Sequence, residues 1–408
     1  MAVVTRDLWA KQGEIRFPDG KTVPFWGFAT AAGGDPVLPG PVIKAKVGDI
    51  IIINLQNNLN EYASLVFPGQ DVVPEPVKDK GVFVSYNSHA APGGSVKYIF
   101  TATRPGVFLY ESGTSPEKQV AMGLYGVIAV YPWEIFDNFG GFAYGPNTGS
   151  YFDMEKILVL SEVDSRFNMS TAGGSPFNML DFEPDYWLVN GRAYPHTLLP
   201  GRVDFLVNQP LSSKVNARYG RRILLRIINA GFQNHVFRLE GITARVIAVD
   251  SRPLISLNID ASYLKNTITI ASGESYDLIF KANMEGQYFL HDHDYHGLRQ
   301  TNRFPGEMAA RVDVLHSDHK SPPRAPSGLS CSPLGTDAIL LGWTNRSNNE
   351  EGFVVERKTE AEDFNTIDVL VEPGLTEYLD RTVQPGITYV YRIRAYNQAG
   401  FSGYSNQC

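Results

Sequence analysis

Residues 42–54 read V-I-K-A-K-V-G-D-I-I-I-I-N. Polar and apolar side chains partly alternate as far as Val47, Gly48-Asp49 supplies a turn, and four isoleucines form a continuous apolar run of strand length. Outward from this pair, further short strands bounded by Pro and Gly are expected at residues 96–100, 107–110 and 125–131, and the first unit closes near Pro132. Residues 140–149 are rich in Gly, Asn and Pro and suit a connector.

The same grammar then returns. I-L-V-L begins just after Lys156, R-I-L-L-R-I-I-N occupies residues 222–229, A-R-V-I-A-V-D residues 244–250, and T-I-T-I and S-Y-D-L-I-F follow. The last strands of this unit are expected at residues 287–292 and 310–315. Two successive units of similar length and rhythm point to a duplicated sandwich. H-S-D-H-K-S-P-P-R-A-P at residues 316–326 has three prolines and no apolar periodicity, which reads as a stiff extended linker.

Composition agrees with several β domains. The 408 residues are 43% hydrophobic and 19% charged, with 38 Gly, 26 Pro and 20 Tyr, as short strands joined by turns around an aromatic core require. Thirty-six basic residues against forty-three acidic ones give a net charge of −7 without a basic run, which excludes nucleic acid as an expected partner. Residues 1–7 contain no apolar signal core, and no stretch approaches the roughly 18 apolar residues that cross a membrane. A soluble chain without a transmembrane segment or an export signal within these residues is expected. The two cysteines, Cys331 and Cys408, both fall in the last fifth, where a disulfide and a pair of free thiols are both open readings.

L-P-G-P-V-I-K-A-K-V-G-D (residues 38–49), F-T-A-T-R-P-G-V-F-L-Y (100–110) and G-L-Y-G-V-I-A-V-Y-P (123–132) occur in the order found in cupredoxin domains. The first unit resembles those of two-domain multicopper oxidases and copper nitrite reductases. The resemblance implies an all-β chain of two tandem Greek-key β-sandwiches, residues 1–138 and 150–316. It also implies copper, held by a thiolate and imidazoles.

Ligand by ligand, the match fails in the first unit. The family's His-Ser-x-Asp-Phe-His becomes A-S-L-V-F-P, leaving Ala63 and Pro68 at imidazole positions while Ser64 and Phe67 keep the frame. The His-Cys pair becomes Glu111-Ser112, the later His becomes Gln119, and the axial Met becomes Leu124. In the second unit Arg238 and Glu240 take imidazole positions. Two apart on a strand, they face one side, where a salt bridge or outside partners can replace copper.

One cluster survives. F-L-H-D-H-D-Y-H-G at residues 289–297 places His291 and His293 on one strand face with His296 just beyond. It resembles the C-terminal His-Asp-His segment of some multicopper oxidase relatives, and Asp292 stands where the comparable His-Cys-His segment of active oxidases has cysteine. The metal expectation is His291, His293 and His296, joined by His235. The cofactor is then one mononuclear copper, or another metal, or none. The competing reading has His291 and His293 hydrogen-bonded to backbone or Asp292. His89, His196, His316 and His319 read as loop or surface histidines.

Beyond the linker at residues 317–326, L-L-G-W-T (340–344), G-F-V-V-E-R-K (352–358) and V-Q-P-G-I-T-Y-V-Y-R-I-R-A-Y-N (383–397) resemble a fibronectin type III domain, an immunoglobulin-like sandwich over residues 327–408. Trp343 is the expected core tryptophan, Pro385-Gly386 a turn and Tyr389 the corner tyrosine. In that fold the first and last strands end near one pole, so Cys331 and Cys408 can meet. Their disulfide implies an extracytoplasmic setting, secreted, periplasmic or at the cell surface.

The function expected is a structural or binding protein on a copper-oxidase scaffold, with no catalytic residues of its own. The alternative is a divergent oxidoreductase or metal-binding protein with one non-blue metal at the histidine cluster. A working multicopper oxidase ranks third, because the cysteine is absent. By resemblance a homo-oligomer, a trimer, is expected, and the fibronectin domain suits a protein or surface partner.

Overall fold

The computed structural model describes all residues except 1, 133–135, 138–139, 147, 200, 202, 257–258, 294–307, 316–320, 336–337, 361, 371–372 and 398. His296, His316 and His319 therefore lie outside the described residues.

The opening pair forms as strands Ile43–Lys46 and Ile50–Asn57, with Gly48 at φ 88° in the turn. The Asp49 carboxylate fixes that turn by accepting from the Lys46 amide at 2.9 Å. The isoleucine run is not uniformly buried: Ile51, Ile53 and Leu55 point inward while Ile50 is exposed, so period two persists within an unbroken apolar string. Several strands went unread in the sequence, the longest of them at the start of the chain. The 14-residue strand Val3–Arg16 runs parallel to Ile50–Asn57 and antiparallel to Thr22–Ala29. With Ser95–Thr101 these make a four-stranded sheet, packed on Gly106–Glu111, Tyr125–Tyr131 and Ile43–Lys46.

In the second sandwich the parallel pair Met154–Val163 and Arg222–Asn229 sits centrally, flanked by Tyr186–Val189, Ser275–Lys281 and Ala244–Val249. The opposing sheet runs Val215–Arg218, Ala309–Leu315, Gly286–Asp292, His235–Leu239, Thr267–Ile270. Phe108 and Tyr110 enter the first core, whereas Val107 and Leu109 on the alternate face pack with Val159, Val163, Leu188 and Ile228 of the second sandwich. Burial on both faces makes the two sandwiches one continuous apolar body.

The connector proves structural rather than solvated. Phe136–Asp137, Gly140–Phe142 and Tyr151–Phe152 form a small sheet, and Tyr144 is buried with its hydroxyl donating to Asp277 at 2.6 Å. Arg226, fully buried, lies 2.6 Å from Glu155 and 3.5 Å from Asp277, while Tyr131 donates to Glu155 at 2.7 Å. A buried guanidinium is tolerable because two carboxylates surround it.

Residues 327–408 form two sheets around Trp343, Phe353, Tyr391 and Ile393. The Tyr389 hydroxyl accepts from the Gln384 amide at 3.1 Å, and Cys331 and Cys408 are disulfide-bonded with Cα atoms 5.7 Å apart. This sandwich is docked. Arg218, 4% exposed, donates to the Glu350 and Asn348 carbonyls at 2.8 and 3.0 Å and pairs with the Glu350 carboxylate at 3.2 Å. Arg221 pairs with Glu351, and Ser321 of the linker accepts from Asn349 and Asn397. Among the described residues no helix is long and apolar enough to cross a membrane.

Candidate functional site

Three of the positions that the resemblance matches to copper ligands in the first sandwich, Ser112, Gln119 and Leu124, come together. Strand Gly106–Glu111 delivers Ser112 beyond its end, and the turn Pro116–Gln119 returns the chain so that the Ser112 amide donates to the Leu124 carbonyl at 3.0 Å. Ser112 and Gln119 are fully buried, and the Ser112 hydroxyl donates to Gln119 Oε1 at 2.5 Å. Gln119 Nε2 in turn donates to Glu61 Oε1 at 2.7 Å and the Tyr62 carbonyl at 2.8 Å, and Glu61 pairs with Lys118. Beside them the hydroxyls of Ser64, Ser85 and Thr114 lie within 2.9–3.0 Å of one another. Buried hydroxyl and amide groups persist only when bonded in this way.

This donor set does not fit a blue-copper ion. Hydroxyl and amide oxygens replace the thiolate and imidazole that such an ion needs, and Ala63 and Leu124 offer no donor at all. Glu111 exchanges backbone hydrogen bonds with Val66. Burial pushes its carboxyl up to about 7.

In the second sandwich, cross-strand register decides which histidines meet. Arg238 pairs with His291 and Phe237 with Asp292, so the two sets occupy opposite faces of the sheet. On the outer face Arg238 and Glu240 form the salt bridge anticipated from their spacing, at 2.7 Å. His291 Nε2 lies 3.3 Å from Glu240 and its Nδ1 3.0 Å from the Asp292 carbonyl. The His291 and His293 rings stand 6.0 Å apart on this face.

His235 is on the inner face, away from that pair. Its Nδ1 is 2.6 Å from Asp292 Oδ2, and its Nε2 is 3.7 Å from Glu162. Burial by itself would lower the imidazole, but the bonds to Asp292 and Glu162 outweigh it and hold it up at about 9. Glu162 also accepts from the Phe232 and Gln233 amides, and a side chain at Gly231 would collide with its carboxylate. Neither Glu162 nor Glu61 carries a local motif. Among the described residues no group of three His, Cys, Asp or Glu side chains is arranged to hold an ion.

Residues 14–134 and 162–316 each match the multicopper oxidase family, and residues 324–408 match the fibronectin type III domain. Laccase-2 of Botryotinia fuckeliana is 25% identical over 346 residues, covering 82% of this chain and 52% of that protein. The chain spans 38 to 52% of the length of the first curated relatives it matches. The fold is shared with the blue copper oxidase of Nitrosomonas europaea, at 19% identity and TM-score 0.59 over 77% of this chain and 86% of that one. It is shared also with the copper nitrite reductase of Nitrosomonas europaea, at 22% identity and TM-score 0.56 over 76% and 94%. The chain belongs to the multicopper oxidase family, as two tandem domains of that family followed by a fibronectin type III domain.

Proposed function

We propose that the chain is a binding or structural protein outside the cytoplasm that works on a copper-oxidase framework without a blue-copper centre. The observation that carries this reading is the closed hydrogen-bond network of Ser112, Gln119 and Glu61, which satisfies the buried polar groups where an ion would sit. Both cysteines are committed to the disulfide, which supports an oxidising compartment and leaves no thiolate. Metal analysis with visible and electron paramagnetic resonance spectroscopy on the purified chain tests it. Colourless protein with copper far below one per chain is expected, and stoichiometric copper overturns it.

A second reading, one non-blue metal on His291, His293 and His296, is favoured by the shared face of the first two rings. It requires bound metal to fall to background when His291 and His293 become Ala. Self-association as a trimer is part of the proposal, and sedimentation equilibrium checks it. The fibronectin type III domain serves a protein or surface partner from a fixed orientation, since Arg218 and Arg221 tie it to the second sandwich.

A further inference from the structure

The helix Ser165–Ala172 and the residues up to 182 leave the second sandwich and lie over the first. Asn168 Nδ2 donates to the Pro24 carbonyl at 2.8 Å, Lys21 donates to Ser165 at 2.6 Å, and Phe167, Phe177 and Phe182 pack on the first core. Between this segment and the rim of the first sandwich is a cleft of about 630 Å³, within the size range of small-molecule sites. Trp26, Asn58, Asn60, Glu61, Lys118 and Phe177 line it.

Its chemistry selects a ligand class by elimination. An anion would need a free cation, but Lys118 is paired with Glu61 at 2.5 Å and stands 6.0 Å from the Trp26 ring. A cation would need converging free carboxylates, but both Glu61 oxygens are engaged, one by Lys118 and one by Gln119, which leaves the exposed Glu117 as a single solvated charge on the rim, worth under about 1 kcal/mol to an ion. A purely apolar molecule would strip water from Asn58 and Asn60, whose exposed side-chain amides make no hydrogen bond among the described residues. What fits is a neutral ring with apolar faces and a hydroxyl edge, because each hydroxyl both donates and accepts, as an amide does. Aromatic and aliphatic walls cover its C–H faces.

We propose that this cleft binds a neutral saccharide, with Asn58 and Asn60 reading hydroxyls and Trp26 and Phe177 supplying the apolar walls. The inference deepens the binding reading above and rests on it. Copper content and saccharide affinity are separate measurements on the same sample, so the failure of one is distinguishable from the failure of the other.

The test is calorimetric titration of the full chain with cellobiose, maltose, xylobiose and chitobiose, with gluconate and phenol as charged and apolar controls. At least one disaccharide is expected to bind with a roughly millimolar or tighter dissociation constant. Replacing Asn58 and Asn60 together with Ala weakens it about tenfold or more, through the loss of two or more hydrogen bonds. Ser175→Trp, at an exposed position on the cleft wall, abolishes binding while leaving the melting temperature unchanged. Absence of binding by all four sugars, tighter binding of gluconate or phenol, or binding that survives Ser175→Trp overturns the proposal.

Discussion

His235 and Asp292 meet at 2.6 Å across neighbouring strands, on the face opposite His291. The residue at the family's cysteine position thus serves as a counter-ion to a buried imidazole. Because the folded pKa, about 9, lies above the ordinary 6.5, the folded state holds the proton more tightly. The resulting stability is fully present below pH 6.5 and is lost as pH rises through about 9. Denaturant midpoints across that window should fall by the equivalent of up to about 3 kcal/mol. Asp292→Asn should flatten the profile; an unchanged slope in that variant would rule out the pair as its origin.

Glu111 titrates in the same sense from a different cause. Burial raises its folded pKa to about 7 from an ordinary 4.5, so stability falls as pH rises between those values. Glu111→Gln removes the charge that burial opposes. The variant is expected to gain up to about 3 kcal/mol above pH 8 and nothing below pH 4, as read from urea unfolding.

Gln119 joins Ser112 to Glu61. Gln119→Leu removes the donor to Glu61 Oε1 and to the Tyr62 carbonyl and leaves the Ser112 hydroxyl with its longer bonds to Thr114, at a cost of about 1–3 kcal/mol. Thermal unfolding of the variant measures it, and a loss under about 0.5 kcal/mol would show that the network does not stabilise the sandwich.

The framework around that network is expected still to accept an ion once the donors are restored. Combining Ala63→His, Ser112→Cys, Gln119→His and Leu124→Met should generate an intense thiolate-to-copper absorption on adding Cu²⁺. A folded variant that stays colourless would refute the correspondence of these four positions.

Arg218 is buried between the second sandwich and Glu350 of the fibronectin domain. Arg218→Ala takes the cation from the buried Glu350 carboxylate, which keeps only Asn345 and the Gly374 amide as donors among the described residues, and removes the donor to two carbonyls, weakening the docking by about 2–4 kcal/mol. Small-angle scattering should then report a larger radius of gyration, and calorimetry a separate transition for residues 327–408.

Much of this architecture was written locally. The strand pair on either side of Gly48-Asp49, the turn between them and the placement of Trp343 follow from side-chain pattern and turn chemistry, which neighbouring residues determine, whereas the inward turn of Ile51, Ile53 and Leu55 within an unbroken apolar run was set by packing. The Arg238–Glu240 pair was legible for the same reason, since two residues apart on a strand share a face. Val3–Arg16 escaped notice because its mixed polar pattern becomes a strand only when Ile50–Asn57 and Thr22–Ala29 pair with it. The sequence likewise placed His235 among the candidate ligands, but cross-strand register put it on the other face, against Asp292 and Glu162. Glu61 reaches Gln119 from 58 residues away. Such partners are chosen by where the folded chain returns, and burial then fixes their charge, so the residue types at the positions matched to copper ligands were legible in the sequence, while the bonds those residues make were decided by tertiary packing.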